Sequence, residues 1–225
     1  HRYYNNSEES YRNVVKGHLS LKRLGINARS ISVPNGVWGK GVAKACKQLN
    51  YNFAMAFSLD SDNLPFRPIL NGKELPFLLL PSHQICIGIL KQYDFTEHEM
   101  SEYFSEVIER NLSANIPILL YGHPLKRMAR FPKATETISK KVNSLPGLWK
   151  TTHDEYISWW KAREKISFTA TLDKGTLKIS AKGKTENASI AIESANKRWL
   201  VPASKKNTRL SFLNRGTKLP VHPIA

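Results

Sequence analysis

The chain has few of the residues and motifs that mark several large protein classes. Only two cysteines occur in 225 residues, Cys46 and Cys86, and both lie in apolar sequence, which favours buried free thiols over a disulfide framework. No apolar run approaches the roughly 18 residues of a membrane-spanning helix, and the polar, tyrosine-rich opening is unlike a secretory signal. The sequence also has no P-loop, no G-x-G-x-x-G fingerprint, no G-x-S-x-G elbow and no H-E-x-x-H motif. The commonest nucleotide-binding, serine-hydrolase and zinc-protease signatures are therefore excluded.

Acidic residues are scarce as well, with 18 Asp and Glu against 34 Lys and Arg, so the formal net charge is +16. The final 59 residues, 167–225, hold 11 basic and 3 acidic residues and thus half of that excess. A solvated basic surface explains this charge, and so does a polyanionic neighbour such as an acidic polymer or a membrane surface. Nucleic acid is not expected, because no basic run interleaves with aromatic residues and no zinc-finger or RNP-type signature occurs.

Hydrophobic periodicity predicts two domains that meet near residue 165. Before that point helical and strand patterns alternate, as in β/α units, and from Ile166 the period changes to two. Strands are predicted at residues 30–33, 52–58, 78–80 and 117–121, and capping signals open helices at Asn6, Thr96 and Thr152. We therefore predict an α/β domain over residues 1–165 and a small antiparallel β module over residues 166–225, with one face of its strands buried.

A histidine follows the last strand predicted in the first domain. His123 comes two residues after Tyr121, and Arg127 and Arg130 lie close by in the sequence. Because catalytic groups collect at the carboxyl ends of parallel strands, His123 is a candidate catalytic residue, although a lone histidine also serves structural roles. His83 follows an earlier predicted strand in the same way, and the same two interpretations apply to it.

The loops after the first two predicted strands supply more candidates. Pro34, Gly36 and Trp38 lie in the first loop, which is either an ordinary strand-to-helix turn with a packing tryptophan or a loop that lines a sugar site. Asp60 and Asp62 lie in the second loop, where they either make local turns or bind substrate and orient a catalytic base. Neither pattern decides between its two interpretations.

Taken in order, these segments resemble the NodB-homology polysaccharide deacetylases. The resemblance runs from His1 to about Arg163 and depends on order and spacing as much as on any one motif. The matching segments are His1 as the second histidine of an H-x-x-x-H motif, residues 33–38 as a P-x-G-x-W motif, residues 49–66 as an lGy…D…lPf stretch, residues 120–124 as a strand-end H-P, and residues 159–163 as the closing helix. The chain thus resembles the C-terminal part of that family's domain.

The resemblance implies a distorted (β/α) barrel that is incomplete at its N-terminus. Members of this family remove N- or O-acetyl groups from glycans with a divalent metal, commonly zinc, so the chain is expected to be a hydrolase of non-peptide carbon–nitrogen bonds with an acetylated glycan substrate. A cell-envelope or glycan-biosynthesis setting follows from the same resemblance. The site residues that it implies are His1 as a metal ligand, His123 as the catalytic acid, and Pro34, Gly36, Trp38, Asp60 and Tyr121 as substrate-binding residues.

The sequence also departs from the family pattern. The Asp-Asp motif that supplies the base and one metal ligand would lie upstream of His1, as would the first histidine, so the chain as given is expected to be incomplete as an enzyme. Ser32 stands where the family usually has an arginine. Two alternatives stay open. One is a non-catalytic relative that binds glycan in the same groove, with the basic β module contacting acidic polymers, and the other is a structural or partner-binding protein whose barrel is vestigial.

Overall fold

A computed structural model describes residues 6–58, 64–125, 127–183, 188–194, 197–203 and 208–211. Within them, helices α1–α6 are Ser7–Arg23, Lys40–Gln48, Ile87–Gln92, Glu97–Ser113, Pro132–Ser144 and His153–Arg163. Strands β1–β10 are Ser30–Ser32, Phe53–Phe57, Ile69–Leu70, Lys73–Glu74, Leu78–Ser82, Ser167–Asp173, Thr176–Lys182, Ser189–Ser194, Lys197–Pro202 and Thr208–Ser211. Tertiary contacts divide the chain into a first unit that runs to Leu148 and a second unit that begins at Trp149. Helix α6 therefore groups with the strands that follow it, whereas the sequence pattern predicts a limit at the end of that helix.

The first unit is built on a three-stranded parallel sheet. Its order is β1-β2-β5, with Ser30 opposite Phe53 and Phe53 opposite Leu78. Every residue of β5 is buried, as in parallel strands that are covered on both faces. The antiparallel hairpin β3–β4 lies between β2 and β5 in the sequence. The mixed α/β class predicted from the sequence is confirmed, while the sheet does not close into a barrel within the described residues.

The main hydrophobic core of the first unit joins this sheet to helices α1 and α2. Val14 of α1, Ala45 of α2 and Ala54 of β2 belong to it, and Phe77, just before β5, is fully buried within it. Small residues on the buried face of α2 allow that helix to approach its neighbours closely. A second cluster, around Phe104, packs α3, α4 and α5 together. The parallel sheet is thereby covered by α1, which precedes β1 in the sequence, and by α2, which lies between β1 and β2.

Hydrogen bonds at the helix starts follow the capping signals in the sequence. Thr96 and Glu99 form a capping box at the start of α4, and Thr152 and Glu155 form another at the start of α6. The side-chain oxygen of Asn6 accepts backbone N–H groups in the first turn of α1. Hydrogen bonds from the two capping threonines lower the pKa of the Glu99 and Glu155 carboxyls. The three helix starts predicted from the sequence are confirmed.

The strand predicted at residues 117–121 is wrong. The segment runs beside β5, where the Leu119 carbonyl accepts the His83 N–H at 2.9 Å, but it does not form a strand and all five residues are half-buried. An apolar run of this kind is typical of a strand covered on both faces. Here the five residues are only half-buried, and backbone polar groups that solvent can satisfy need no complete ladder.

The second unit consists of α6 and antiparallel strands. β6 and β7 form a hairpin whose turn residues, Lys174 and Gly175, have φ angles of +46° and +76°, and β10 pairs with the other edge of β7. Strands β8 and β9 form a separate hairpin. Ile179 and Ala181 of β7 are buried, but all seven residues of β6 are exposed, so the predicted buried face is wrong for that strand. Alternation gives a strand an apolar face, whereas burial also needs a layer that covers it.

Both cysteines are buried and free, as the apolar sequence around them predicts. Burial raises the pKa of the Cys46 thiol from 9.0 to about 12. As the pH rises, the thiol in the unfolded chain loses its proton before the buried thiol does. The contribution of the protonated Cys46 thiol to the free energy of unfolding is therefore complete below about pH 9 and is lost as the pH rises towards 12.

We expect the free energy of unfolding to fall by up to about 1.4 kcal/mol per pH unit above pH 9, and Cys46→Ala to flatten that slope. Urea unfolding of the two proteins between pH 8 and about pH 11 measures the difference. The slope is compared rather than the absolute stability, because the substitution also removes packing. Equal slopes in the two proteins would contradict the role assigned to Cys46.

Candidate functional site

The ends of β2 and β5 bring polar groups to one edge of the parallel sheet. Ser82, the last residue of β5, donates its hydroxyl to the Ala56 carbonyl at 3.1 Å. The side-chain amide of Gln84 donates to the Ser58 carbonyl just beyond β2. The Tyr121 hydroxyl donates to the Gln84 carbonyl at 3.3 Å. These hydrogen bonds join three segments, which are the residues after β2, the residues after β5 and the chain around Tyr121. We call the surface that they form the carboxyl edge.

A row of three rings crosses the carboxyl edge. The ring centroids of Phe57 and Tyr121 are 5.0 Å apart, and those of Tyr121 and His123 are 5.9 Å apart with the planes at 81°. Phe57 and Tyr121 are half-buried, whereas His123 is exposed. The ring row Phe57–Tyr121–His123 therefore presents one imidazole to solvent beside two aromatic side chains.

Pro34 and Gly36 follow β1, and Gly36 lies against the ring row. Together with the residue between them they form a short 3-10 turn, in which Gly36 has a φ of +64°. A Cβ atom at Gly36 would lie 2.2–2.5 Å from carbon atoms of the Phe57 ring. Glycine is thus needed here both by the backbone conformation and by the contact with the ring. Among the predicted site residues, the structure brings Gly36, Tyr121 and His123 together through Phe57.

Trp38 lies apart from this row. Its ring meets the fully buried Phe77 edge-on, with centroids 5.9 Å apart and planes at 62°. The indole is packed against the core that joins the sheet to α1 and α2. The structure therefore shows the packing role that the sequence left open for this tryptophan, and no contact of Trp38 with the ring row is found among the described residues.

Phe57 and Gln84 are the parts of this surface that the sequence did not indicate. Phe57 is the last residue of β2, and its position near the end of a predicted strand is the feature of the sequence that could have identified it as a site residue. Gln84 follows His83 in a loop, where nothing local marks it out. Long-range contacts alone give these two side chains their place at the carboxyl edge.

His83 is held inside the first unit. It is 6% exposed, and its Nε2 atom lies 2.8 Å from the Tyr103 hydroxyl on α4. The two rings also contact each other, with centroids 5.8 Å apart. This histidine links the end of β5 to helix α4, which is the structural interpretation that the sequence left open.

The described residues do not fit a metal centre. No group of three His, Cys, Asp or Glu side chains that could hold a metal ion occurs in the part of the chain that the structure describes. His1, Asp60 and Asp62 lie outside the described residues. His123 is the imidazole that the described residues place at the ring row, and one imidazole does not make the ligand set that a zinc site needs.

The hydroxyl of Tyr121 stays protonated in this environment. Burial raises the pKa of Tyr121 far above its ordinary value, a hydrogen bond and electrostatic repulsion from Cys86 add to that shift, and the guanidinium of Arg127 opposes it. Tyr121 is therefore a neutral phenol near neutral pH. The carboxyl edge thus combines a neutral phenol, an exposed imidazole and a nearby positive charge.

No described helix has both the length and the apolar composition needed to cross a bilayer. Comparison with protein-family models finds no match, and comparisons with curated proteins and with solved structures find none either.

Proposed function

We propose that the chain acts on an acetylated glycan as a polysaccharide-deacetylase-like hydrolase, with the carboxyl edge as its substrate site. The observation that supports this proposal is the ring row, in which the exposed imidazole of His123 stands beside the neutral phenol of Tyr121 at the ends of parallel strands. Sugar sites are commonly built from aromatic faces with a few polar groups between them. The proposal includes the distorted (β/α) barrel, in which the segment beside β5 would continue the order β1-β2-β5.

Hydrolysis of an N-acetyl group sets the task for these residues. Water adds its oxygen to the acetyl carbon, the carbon–nitrogen bond breaks, acetate leaves, and the sugar amine must take up a proton as it departs. An imidazole is well suited to give that proton near neutral pH, and His123 is exposed to solvent where a substrate reaches it. Phe57 and Tyr121 would support the sugar ring on one side.

The proposal assigns no step to a metal ion through the described residues. The divalent metal that the resemblance implies, commonly zinc, would need ligands such as His1 that lie outside them. The test of function therefore compares the protein with added zinc, with added manganese and with a chelator.

We expect His123→Ala to lower acetate release from an N-acetylated oligosaccharide by about 10²- to 10⁴-fold, because it removes the proton donor for the leaving amine. The matched control is His98→Ala, which removes an exposed histidine on α4 that pairs with Glu102 at 3.4 Å and is not part of the ring row. Acetate is quantified enzymatically over a range of pH with the metal held constant. Equal rates for His123→Ala and the unchanged protein would contradict the catalytic assignment.

A non-catalytic glycan-binding protein is the second candidate, and Ser32 favours it. This serine is exposed at the last position of β1, where the resemblance leads one to expect an arginine of the acid–base network. In this version the basic β module contacts acidic polymers, and its lysines include the exposed Lys174 and Lys182. Glycan binding that persists in chelator, with no acetate released under any metal condition, would establish this second function over the first.

A further inference from the structure

Arg127 is built into the carboxyl edge next to the ring row. Its Nη1 atom lies 3.9 Å from the Cys86 sulfur, which is fully buried. The side chain crosses Gly88 so closely that a Cβ atom there would lie 2.3 Å from Cδ, 2.8 Å from Nε and 3.0 Å from Nη1 of the arginine. Glycine at position 88 is therefore what leaves room for the guanidinium.

The charge of Arg127 acts on the site residues. It is close enough to Tyr121 to oppose the rise in the pKa of that phenol. Tyr121 in turn contacts the ring of His123, so the guanidinium and the imidazole flank the same tyrosine. The positive charge of Arg127 therefore lies at the same part of the carboxyl edge as Tyr121.

The surroundings of Arg127 leave its donors open to a ligand. The side chain is half-buried, and its hydrogen-bond acceptor is the Cys86 sulfur, which is a weak one. Among the ion pairs within the described part of the chain, none includes Arg127. A guanidinium carries five N–H donors in a planar fork, and carboxylates and phosphates are the groups that match this fork with two parallel hydrogen bonds.

We infer that the carboxyl edge takes an anionic glycan, in which a sugar carboxylate binds Arg127 while the sugar ring lies on the ring row. The inference rests on the proposed glycan function and adds the charge of the substrate to it. The net charge of +16 acts in the same direction, since a basic protein concentrates acidic polymers around itself. The carboxylate would approach the fork from solvent, because the buried side of the arginine is taken by Cys86 and Gly88.

The test compares two N-acetylated tetrasaccharides that differ in charge. One is a hyaluronan tetrasaccharide, in which N-acetylglucosamine alternates with glucuronate, and the other is neutral tetra-N-acetylchitotetraose. Ligand-observed NMR titration of the full chain at fixed ionic strength gives the two dissociation constants. We expect the acidic sugar to bind about tenfold or more tightly than the neutral one, and Arg127→Gln to abolish that difference by weakening the binding of the acidic sugar.

Two further variants distinguish recognition by the planar guanidinium of Arg127 from a general effect of positive charge. Arg130→Gln removes the same charge three residues away at an exposed position, and we expect it to keep the preference for the acidic sugar. Arg127→Lys keeps the charge but loses the planar fork, and we expect an intermediate preference. Far-UV circular dichroism and thermal unfolding of each variant show that the fold is retained.

Several results would overturn the inference. An equal loss of preference in Arg130→Gln would show that overall charge, not Arg127, selects the acidic sugar. Displacement of the acidic sugar by inorganic phosphate at lower concentrations than by free glucuronate would replace the carboxylate with a phosphate. If the neutral sugar binds and Arg127→Gln leaves the preference for the acidic sugar unchanged, the inference fails while the proposed function stands. If neither sugar binds, the inference and the proposed function both fail.

Discussion

Replacement of Phe77 by alanine is expected to lower the free energy of unfolding of the first unit by about 3–5 kcal/mol. Phe77 is fully buried just before β5, and Trp38 packs edge-on against its ring. The substitution removes apolar area from the core and leaves a cavity that the rigid strands around it cannot fill by collapsing. For a protein of this size the melting temperature should fall by about 10 °C.

The measurement is urea-induced unfolding followed by far-UV circular dichroism, with the slope against urea required to stay constant. Phe66→Ala is the matched control, because that phenylalanine is 47% exposed while its backbone still bridges to Leu79. We expect the control to change stability by less than about 1 kcal/mol. Equal losses for the two substitutions would mean that the core does not centre on Phe77.

Substitution of Gly36 by alanine should lower the free energy of unfolding by about 2–5 kcal/mol and distort the carboxyl edge. The backbone at Gly36 has a φ of +64°, which an L-residue adopts at a cost of about 1–2 kcal/mol. The added methyl would also overlap the Phe57 ring, at 2.2–2.5 Å, and a shift of that ring would disturb its contact with Tyr121, whose centroid lies 5.0 Å away.

Gly25→Ala separates these two contributions. Gly25 has a similar φ of +78°, but nothing lies within 4 Å of the position that its Cβ would take. We expect the control to lose only the conformational part, about 1–2 kcal/mol, and to keep glycan binding and acetate release unchanged. Thermal unfolding and glycan titration of both variants provide the comparison. A loss of glycan affinity in Gly25→Ala as large as in Gly36→Ala would contradict a specific contact between Gly36 and the ring row.

The helix starts and most of the strands could be predicted because their causes are local. A capping box such as that of Thr96 and Glu99 uses residues three positions apart, and its hydrogen bonds form in the structure as the sequence indicates. The hairpin turn at Lys174 and Gly175 is likewise local, because Gly175 readily accepts the positive φ angle that such a turn needs. The mixed α/β class followed from alternating periodicity of the same local kind.

Burial could not be predicted in the same way. Residues 117–121 have the apolar composition of a strand covered on both faces, and β6 has the alternation of a half-buried one. Both patterns show that a segment has apolar side chains that could be buried. Whether another layer arrives to cover it depends on the rest of the fold.

The candidate site likewise combines features that the sequence predicts with features that only the tertiary structure shows. The sequence identified Gly36 in the loop after a predicted strand and His123 just beyond the apolar run 117–121, and the family resemblance added Tyr121. The tertiary structure decided which of them meet. It brought Phe57 between Gly36 and Tyr121, and it packed Trp38 against the core instead.

Arg127 shows the same limit most clearly. The sequence placed it near His123, but its path across Gly88 joins two residues that are 39 positions apart. Such contacts are fixed by how helices and strands pack, and close packing leaves a side chain only the space that its distant neighbours allow. The sequence by itself therefore determined the helix starts, most of the strands and their order, and the packing of those elements decided which side chains form the site.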